Sequence, residues 1–173
     1  NVIATDKTGT LTRNEMTVRV VVTASGCARF GGVGYAPEGE VQYEHGADRA
    51  ALQSELYRAL AVGDRANNAS LHEQNGAWRV EGDPTEGALL VAARKAGLSD
   101  EEFDRRFHRV GEIPFSSERK LMTTLHTDAQ HRERLLAFTK GAPDTLLARC
   151  SHELVGTEAV KLTAERRGQI LRT

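Results

Sequence analysis

The sequence runs Asp6-Lys7-Thr8-Gly9-Thr10-Leu11-Thr12 directly after the apolar stretch Val2-Ile3-Ala4. A buried-strand pattern that breaks at an acidic residue and a small polar turn presents a carboxylate at the carboxyl end of a parallel strand. A carboxylate so placed can accept a phosphoryl group as an acyl phosphate. The lifetime of that intermediate turns on the residue two positions later. A second carboxylate there would activate water, but Thr8 carries a hydroxyl, which can hydrogen-bond a phosphate oxygen and is a poor general base near pH 7. The chemistry implied is phosphorylation without fast hydrolysis.

The seven residues from Asp6 to Thr12 resemble the phosphorylation motif of P-type cation-transporting ATPases. The resemblance implies that Asp6 is the phosphate acceptor, with Lys7 and Thr8 beside it, and that Asp6 and Thr8 ligate Mg²⁺ in the intact pump. A chance polar turn is the bland alternative. Reading Lys7-Thr8-Gly9 as the K-T-G of a penicillin-binding fold, with Ser117 to Lys120 as S-x-x-K, fails because the chain order is reversed and no S-D-N lies between. A second stretch, "GYAPEGEV" at 34–41, is similar to one in calcium-type pumps. Its Pro37 and Gly39 mark a turn.

A pump must bring ATP to Asp6, and no GxxxxGK[ST] loop is present to cradle it. The other available chemistry is an aromatic ring for the base and lysines for the phosphates. "PFSSERKLM" at 114–122 and "TKGAP" at 139–143 offer these groups, and both resemble the family's adenine-site motifs. The resemblance implies that Phe115 stacks on adenine, that Lys120 and Met122 line the pocket, and that Lys140 sits at its floor. Gly141 would let the ligand approach the backbone. Asp83, Thr85 and Glu86 match an acidic helix start near the adenine amino group. Read alone, Phe115 could equally be core, Lys140 a solvated charge, and Asp83 and Glu86 plain helix caps; capping and binding can coexist. Ser117 stands where calcium-type pumps usually place an arginine, which puts the phosphate contact in question. Arg119 reads as a solvated side chain.

These groups need elements to position them. The chain has 173 residues, enough for one domain with a sizeable core, and a net charge of −1 that does not suggest a nucleic-acid partner. Cys27 and Cys150 form no CxxC, and the six histidines form no HExxH or Cys/His cluster. No apolar run approaches the roughly 20 residues needed to cross a bilayer. Thr17 to Ala24 reads as a strand, and 26–39 as strand fragments and turns. Leu52, Leu56 and Leu60 predict a helix over 47–62. Asn75-Gly76 predicts a type I′ turn in a hairpin over 71–80. Asp83, Pro84 and Glu86 predict an N-cap, a first turn and a reciprocal capping position for a helix that Gly97 ends. Its buried face is Leu89, Leu90, Ala92, Ala93 and Ala96. A capped short helix follows over 99–107, then β-like runs at 108–113, 120–126 and 134–140, then helices at 143–149 and 163–171.

The expected fold is therefore α+β, an antiparallel sheet flanked by helices and preceded by the phosphorylation-loop strand. This agrees with the nucleotide-binding (N) domain of the resembled family. Residues 1–12 would be the end of the phosphorylation-domain strand, the loop and a hinge, and residues 13–173 the N domain, cut before its return hinge. The T-G-D and G-D-G-x-N-D motifs of such pumps are absent, so the chain reads as one cytoplasmic segment of a larger membrane protein. The implied cofactors are ATP and Mg²⁺. The implied partners are ATP or ADP and the phosphorylation, actuator and transmembrane domains of the same pump, with the fragment itself monomeric. Calcium is the expected ion. The rivals are a sodium or potassium pump, a capped phosphatase with an Asp nucleophile, and a bare nucleotide-binding module.

Overall fold

Short antiparallel hairpins follow one another along the chain and enclose two packed helices. The computed structural model describes residues 15–131 and 134–172. The 6–12 motif, with Asp6, Lys7 and Thr8, and the predicted strand before it lie outside the described residues. In chain order the elements are β1 (Val20–Thr23), β2 (Gly26–Phe30), β3 (Val41–Tyr43), α1 (Arg49–Arg65), β4 (Ser70–Gln74), β5 (Ala77–Glu81), α2 (Pro84–Lys95), α3 (Asp100–Arg106), β6 (Phe107–Ser116), β7 (Leu121–Asp128), β8 (Leu135–Gly141), α4 (Pro143–Arg149), β9 (His152–Val155), β10 (Glu158–Lys161) and α5 (Ala164–Ile170).

The fold is mixed helix and antiparallel sheet, with every strand pair antiparallel. Among the described residues the strands form four sheets, ordered β1-β2-β3, β4-β5, β6-β7-β8 and β9-β10, where one antiparallel sheet was expected. Each is built from strands adjacent in sequence, as is usual for consecutive strands. Asn75 and Gly76 both take positive φ, 54° and 74°, as the turn between β4 and β5 requires.

The core lies where α1 and α2 pack together against β2 and the β6-β7-β8 sheet. Phe30, Leu56, Leu60, Ala92, Ala93, Phe103 and Phe107 belong to it. A run of rings, Tyr57, Phe103, Phe107, Phe138 and His126, carries the contact from α1 across to β7 and β8. Helix α1 continues to Arg65, past the expected end at Val62. Gly63 there faces Leu89 of α2 at contact distance, so helix packing outweighs the local break. Gly87 of α2 packs so closely on Val80 of β5 that a Cβ would run into that side chain. These contacts fix where the first turn of α2 points.

Candidate functional site

Helix α2 starts as its residues dictate. Asp83 accepts from the backbone N–H groups of Thr85 and Glu86 at 2.8 and 3.2 Å, and Pro84 occupies the first turn, where a missing N–H costs nothing. Burial alone would raise the Asp83 carboxyl. The Glu86 and Thr85 N–H groups, the Thr85 hydroxyl and the Lys140 charge outweigh that and hold it below the usual carboxylate range. Glu86 does not take the reciprocal capping position expected for it. Its Oε1 accepts from Lys140 Nζ at 2.6 Å and its Oε2 from the Asn68 backbone N–H at 2.9 Å. The reciprocal capping pair is found instead between Ser99 and Glu102 at the start of α3. With the cap already supplied by Asp83, the Glu86 carboxylate is free to reach an ammonium on another element.

That ammonium comes from the β6-β7-β8 sheet. Met122 of β7 stands opposite Lys140 of β8, and Leu121 opposite Gly141. Met122 is buried, whereas the Lys140 side chain is 23% exposed and directed at Glu86. Strand β6 loses register between Ile113 and Ser116, and Pro114 could not donate to the ladder in any case. Such an irregularity re-aims side chains. Phe115 accordingly projects with 60% of its surface exposed, which removes it from the core and answers one alternative left by the sequence. Lys120 was expected on a strand. It lies in the turn between β6 and β7 with φ 54°, a left-handed value uncommon for a residue with a side chain. Its carbonyl accepts from the Ala142 N–H at 3.1 Å. A side chain at Gly141 would strike that carbonyl and Leu121, so this glycine also serves the close approach of the β6–β7 turn.

Asp83, Thr85, Glu86, Phe115, Lys120, Met122, Lys140 and Gly141 all line one cavity of about 810 Å³, together with Leu89 and Ala142. All of the nucleotide-site residues expected from the sequence thus converge, although they come from three separated stretches. Leu89, Phe115, Met122 and Ala142 make an apolar wall suited to a flat ring; Lys120 and Lys140 supply cationic donors, and Asp83 and Glu86 acceptors. Ser117 is exposed in the turn, and Arg119 Nη1 lies 3.4 Å from the Pro114 carbonyl. Asn67 and Asn68, which hold Glu86 from behind, were not anticipated. They sit 19 and 18 positions from Glu86, and no periodicity or motif connects them to it. Among the described residues no helix is long and apolar enough to cross a membrane, and no cluster of His, Cys, Asp and Glu is placed to hold a metal ion.

An α+β domain with an apolar cavity rimmed by lysines and carboxylates has the general character of a small-molecule site. Comparison with known proteins makes it specific. The family described as "P-type ATPase, cytoplasmic domain N" matches residues 55–173. The chain is 37% identical over 169 residues to a calcium-transporting ATPase of Bacillus subtilis, covering 98% of this chain and 19% of that protein. It is 39% identical over 161 residues to a probable cation-transporting ATPase F of Mycobacterium bovis, covering 92% of this chain and 18% of that protein. It is 36% identical over 170 residues to the calcium-transporting ATPase type 2C member 1 of Bos taurus, covering 96% and 17%. The chain belongs to the P-type ATPase cytoplasmic domain N family. It spans less than a fifth of the length of these curated relatives.

Proposed function

We propose that this chain is the ATP-binding domain of a cation pump that passes through an aspartyl phosphate. The observation that carries the reading is the convergence of the expected nucleotide residues on one cavity. Its volume lies in the range of small-molecule sites. The adenine ring would stack on Phe115 above Met122, and the phosphates would meet Lys120 and Lys140. Residues 13–173 would form the N domain, and residues 1–12 would lead to the phosphorylation domain. There the Asp6 carboxylate oxygen attacks the γ-phosphorus of ATP, the bond to the β-phosphate oxygen breaks, and ADP leaves. Lys7 and Thr8 would hold the transferred phosphoryl group, and Thr8, without a basic side chain, would not activate water. Asp6 and Thr8 would hold Mg²⁺ in the intact pump, where the ion would neutralise charge on the phosphates. The partners would be the phosphorylation, actuator and membrane domains of the same protein, with this domain on the cytoplasmic side.

Calcium is the transported ion we infer, because two of the relatives above are named as calcium-transporting. A different cation is the second reading, favoured by the relative whose name specifies no ion. The test of the nucleotide reading is a titration of the ¹⁵N-labelled chain with ATP. Backbone shifts should centre on Phe115, Met122 and Lys140, with a dissociation constant in the high-micromolar to millimolar range, about −4 to −6 kcal/mol. Shifts centred elsewhere, or none at millimolar ATP, would overturn it. For the chemistry, the full-length protein incubated with labelled ATP and Mg²⁺ should carry an acid-stable label that Asp6→Asn abolishes. A label that survives this change would sink the assignment of Asp6.

A further inference from the structure

Glu86 is anchored at three points, and two of them lie behind the cavity. Its Oε1 meets Lys140 Nζ at 2.6 Å inside the pocket. Its Oε2 accepts from the Asn68 N–H at 2.9 Å. Its main-chain carbonyl accepts from Nδ2 of the buried Asn67, also at 2.9 Å. The same Asn67 amide reaches the Gly63 carbonyl at 3.1 Å, and its Oδ1 accepts from the Ala69 N–H at 2.8 Å. Asn67 thereby ties the last turn of α1 to the first turn of α2.

The Asn68 side chain is held at both ends. Its Nδ2 donates to Glu112 Oε1 at 2.8 Å, and its Oδ1 accepts from Arg109 Nη1 at 2.9 Å. Arg109 closes the ring through Glu112 Oε2 at 2.6 Å and also donates to the Asn67 carbonyl at 3.0 Å. None of Asn67, Asn68, Arg109 and Glu112 is among the residues lining the cavity. A closed ring of this kind around a side chain that lies outside the cavity fixes the backbone N–H that it carries.

The consequence lies in what Glu86 can still do. An ionised carboxylate only accepts hydrogen bonds and has about four lone-pair sites. Lys140 and Asn68 take one each. Glu86 lines the cavity, and the sites it has left suit a donor on the ligand and repel an acceptor. We propose that Asn68, clamped by Arg109 and Glu112, is a positioning residue that holds Glu86 for an exocyclic amino group of the base and so makes the pocket discriminate between bases. This rests on the nucleotide reading above. ATP and inosine triphosphate are the matched probes, since they differ in carrying an amino group or a carbonyl at one ring position. With Glu86 held, Lys140 stays drawn to it. With Glu86 released, the carboxylate no longer waits for the amino group and Lys140 can turn to the carbonyl, so both changes narrow the discrimination.

The experiment is an NMR titration of the chain with each nucleotide, on the wild type, Asn68→Ala and Glu112→Gln. The wild type should bind ATP about tenfold more tightly than inosine triphosphate, the size of one hydrogen bond to a charged group. Asn68→Ala should compress that ratio to about twofold or less. Glu112→Gln keeps an oxygen for Asn68 Nδ2 but removes the charge facing Arg109, and should give an intermediate ratio; it carries the test if Asn68→Ala does not fold. The ratio is the readout, because damage to the pocket as a whole weakens both nucleotides together. A wild type that binds both equally, or an unchanged ratio in variants that still bind ATP, overturns this inference and leaves the nucleotide site standing. A wild type that binds neither overturns the nucleotide reading as well.

Discussion

Two glutamates reach out from the two central helices, and their surroundings could hardly differ more. Glu55 of α1 is buried. It accepts from the Ser25 N–H at 2.9 Å, the Ser25 hydroxyl at 2.6 Å and the Gly156 N–H, which joins the β1–β2 turn to the β9–β10 turn. Glu86 of α2 has one backbone donor, one ammonium, and a cavity in front of it. A cavity of about 750 Å³ also lies beside Glu55, yet the nearby Arg166 is already taken by Glu153 at 3.0 Å. The contrast teaches how to tell a joint from a site. A carboxylate filled by backbone and hydroxyl donors has no capacity left for a ligand. A carboxylate paired with a cation at a cavity wall retains both an acceptor and a nearby donor.

Four changes put this contrast to the test. The largest effect belongs to Glu55→Gln, which sets an amide NH₂ against donors that need an acceptor. Loss of stability should be about 2–4 kcal/mol, from one or two buried groups left unmatched. Urea unfolding measures it, and a loss below about 1 kcal/mol would show that Glu55 is not the joint described. Next comes Phe115→Ala, which should weaken ATP by the stacking contribution of about 1–3 kcal/mol. Its stability should stay within about 0.5 kcal/mol of wild type, because the ring is exposed. A parallel loss of both quantities would mean that Phe115 serves the fold.

Glu86→Gln is the counterpart of the Glu55 change. Stability should fall by no more than about 1 kcal/mol, since its partner Lys140 is partly exposed and can find water. ATP binding should weaken severalfold in the same titration. Equal destabilisation by Glu55→Gln and Glu86→Gln would erase the distinction between joint and site.

The last effect is that of pH. Burial, with the Arg109 and Arg65 charges, holds the His126 imidazole below its usual range, so the folded domain takes up this proton less readily than the unfolded chain. The unfolded chain takes up that proton near pH 6.5. Stability from this group is therefore complete above pH 6.5 and falls as the pH drops toward the folded value, by at most about 1.4 kcal/mol per unit. Glu55 adds a second loss further down. Burial raises its carboxyl, but the Gly156 and Ser25 N–H groups and the Ser25 and Thr23 hydroxyls bring it below the ordinary carboxylate value. Its contribution is complete above about pH 4.3 and disappears as the pH falls through the folded value. Urea midpoints between pH 7.5 and 5 should decline less steeply in His126→Gln than in wild type. Equal slopes would place the acid sensitivity elsewhere.

Much of this was legible in the residues themselves because the signals were local. Asp83-Pro84 starts α2 wherever it is placed, since the cap involves neighbours two and three positions away. Asn75-Gly76 makes its turn because both residues tolerate positive φ. The β9–β10 hairpin was missed: its alternation is weak, and Gly156, at φ 61°, was its one turn signal. The pocket residues could be named in advance because their spacing within each short motif resembles that of a known family.

Local starts, turns and apolar faces followed from the residues alone, because each depends on contacts a few residues apart, and the set of pocket residues followed from resemblance to a known family. Long-range packing settled what remained. It sent Glu86 away from its cap and toward Lys140, 54 positions distant, turned Phe115 out of the core through a break in register, and left Glu55 filled while Glu86 stayed open. A carboxylate looks the same in every sequence. Which donors reach it first depends on the packing of α1 against α2, and that decides whether it holds the fold together or waits for a ligand.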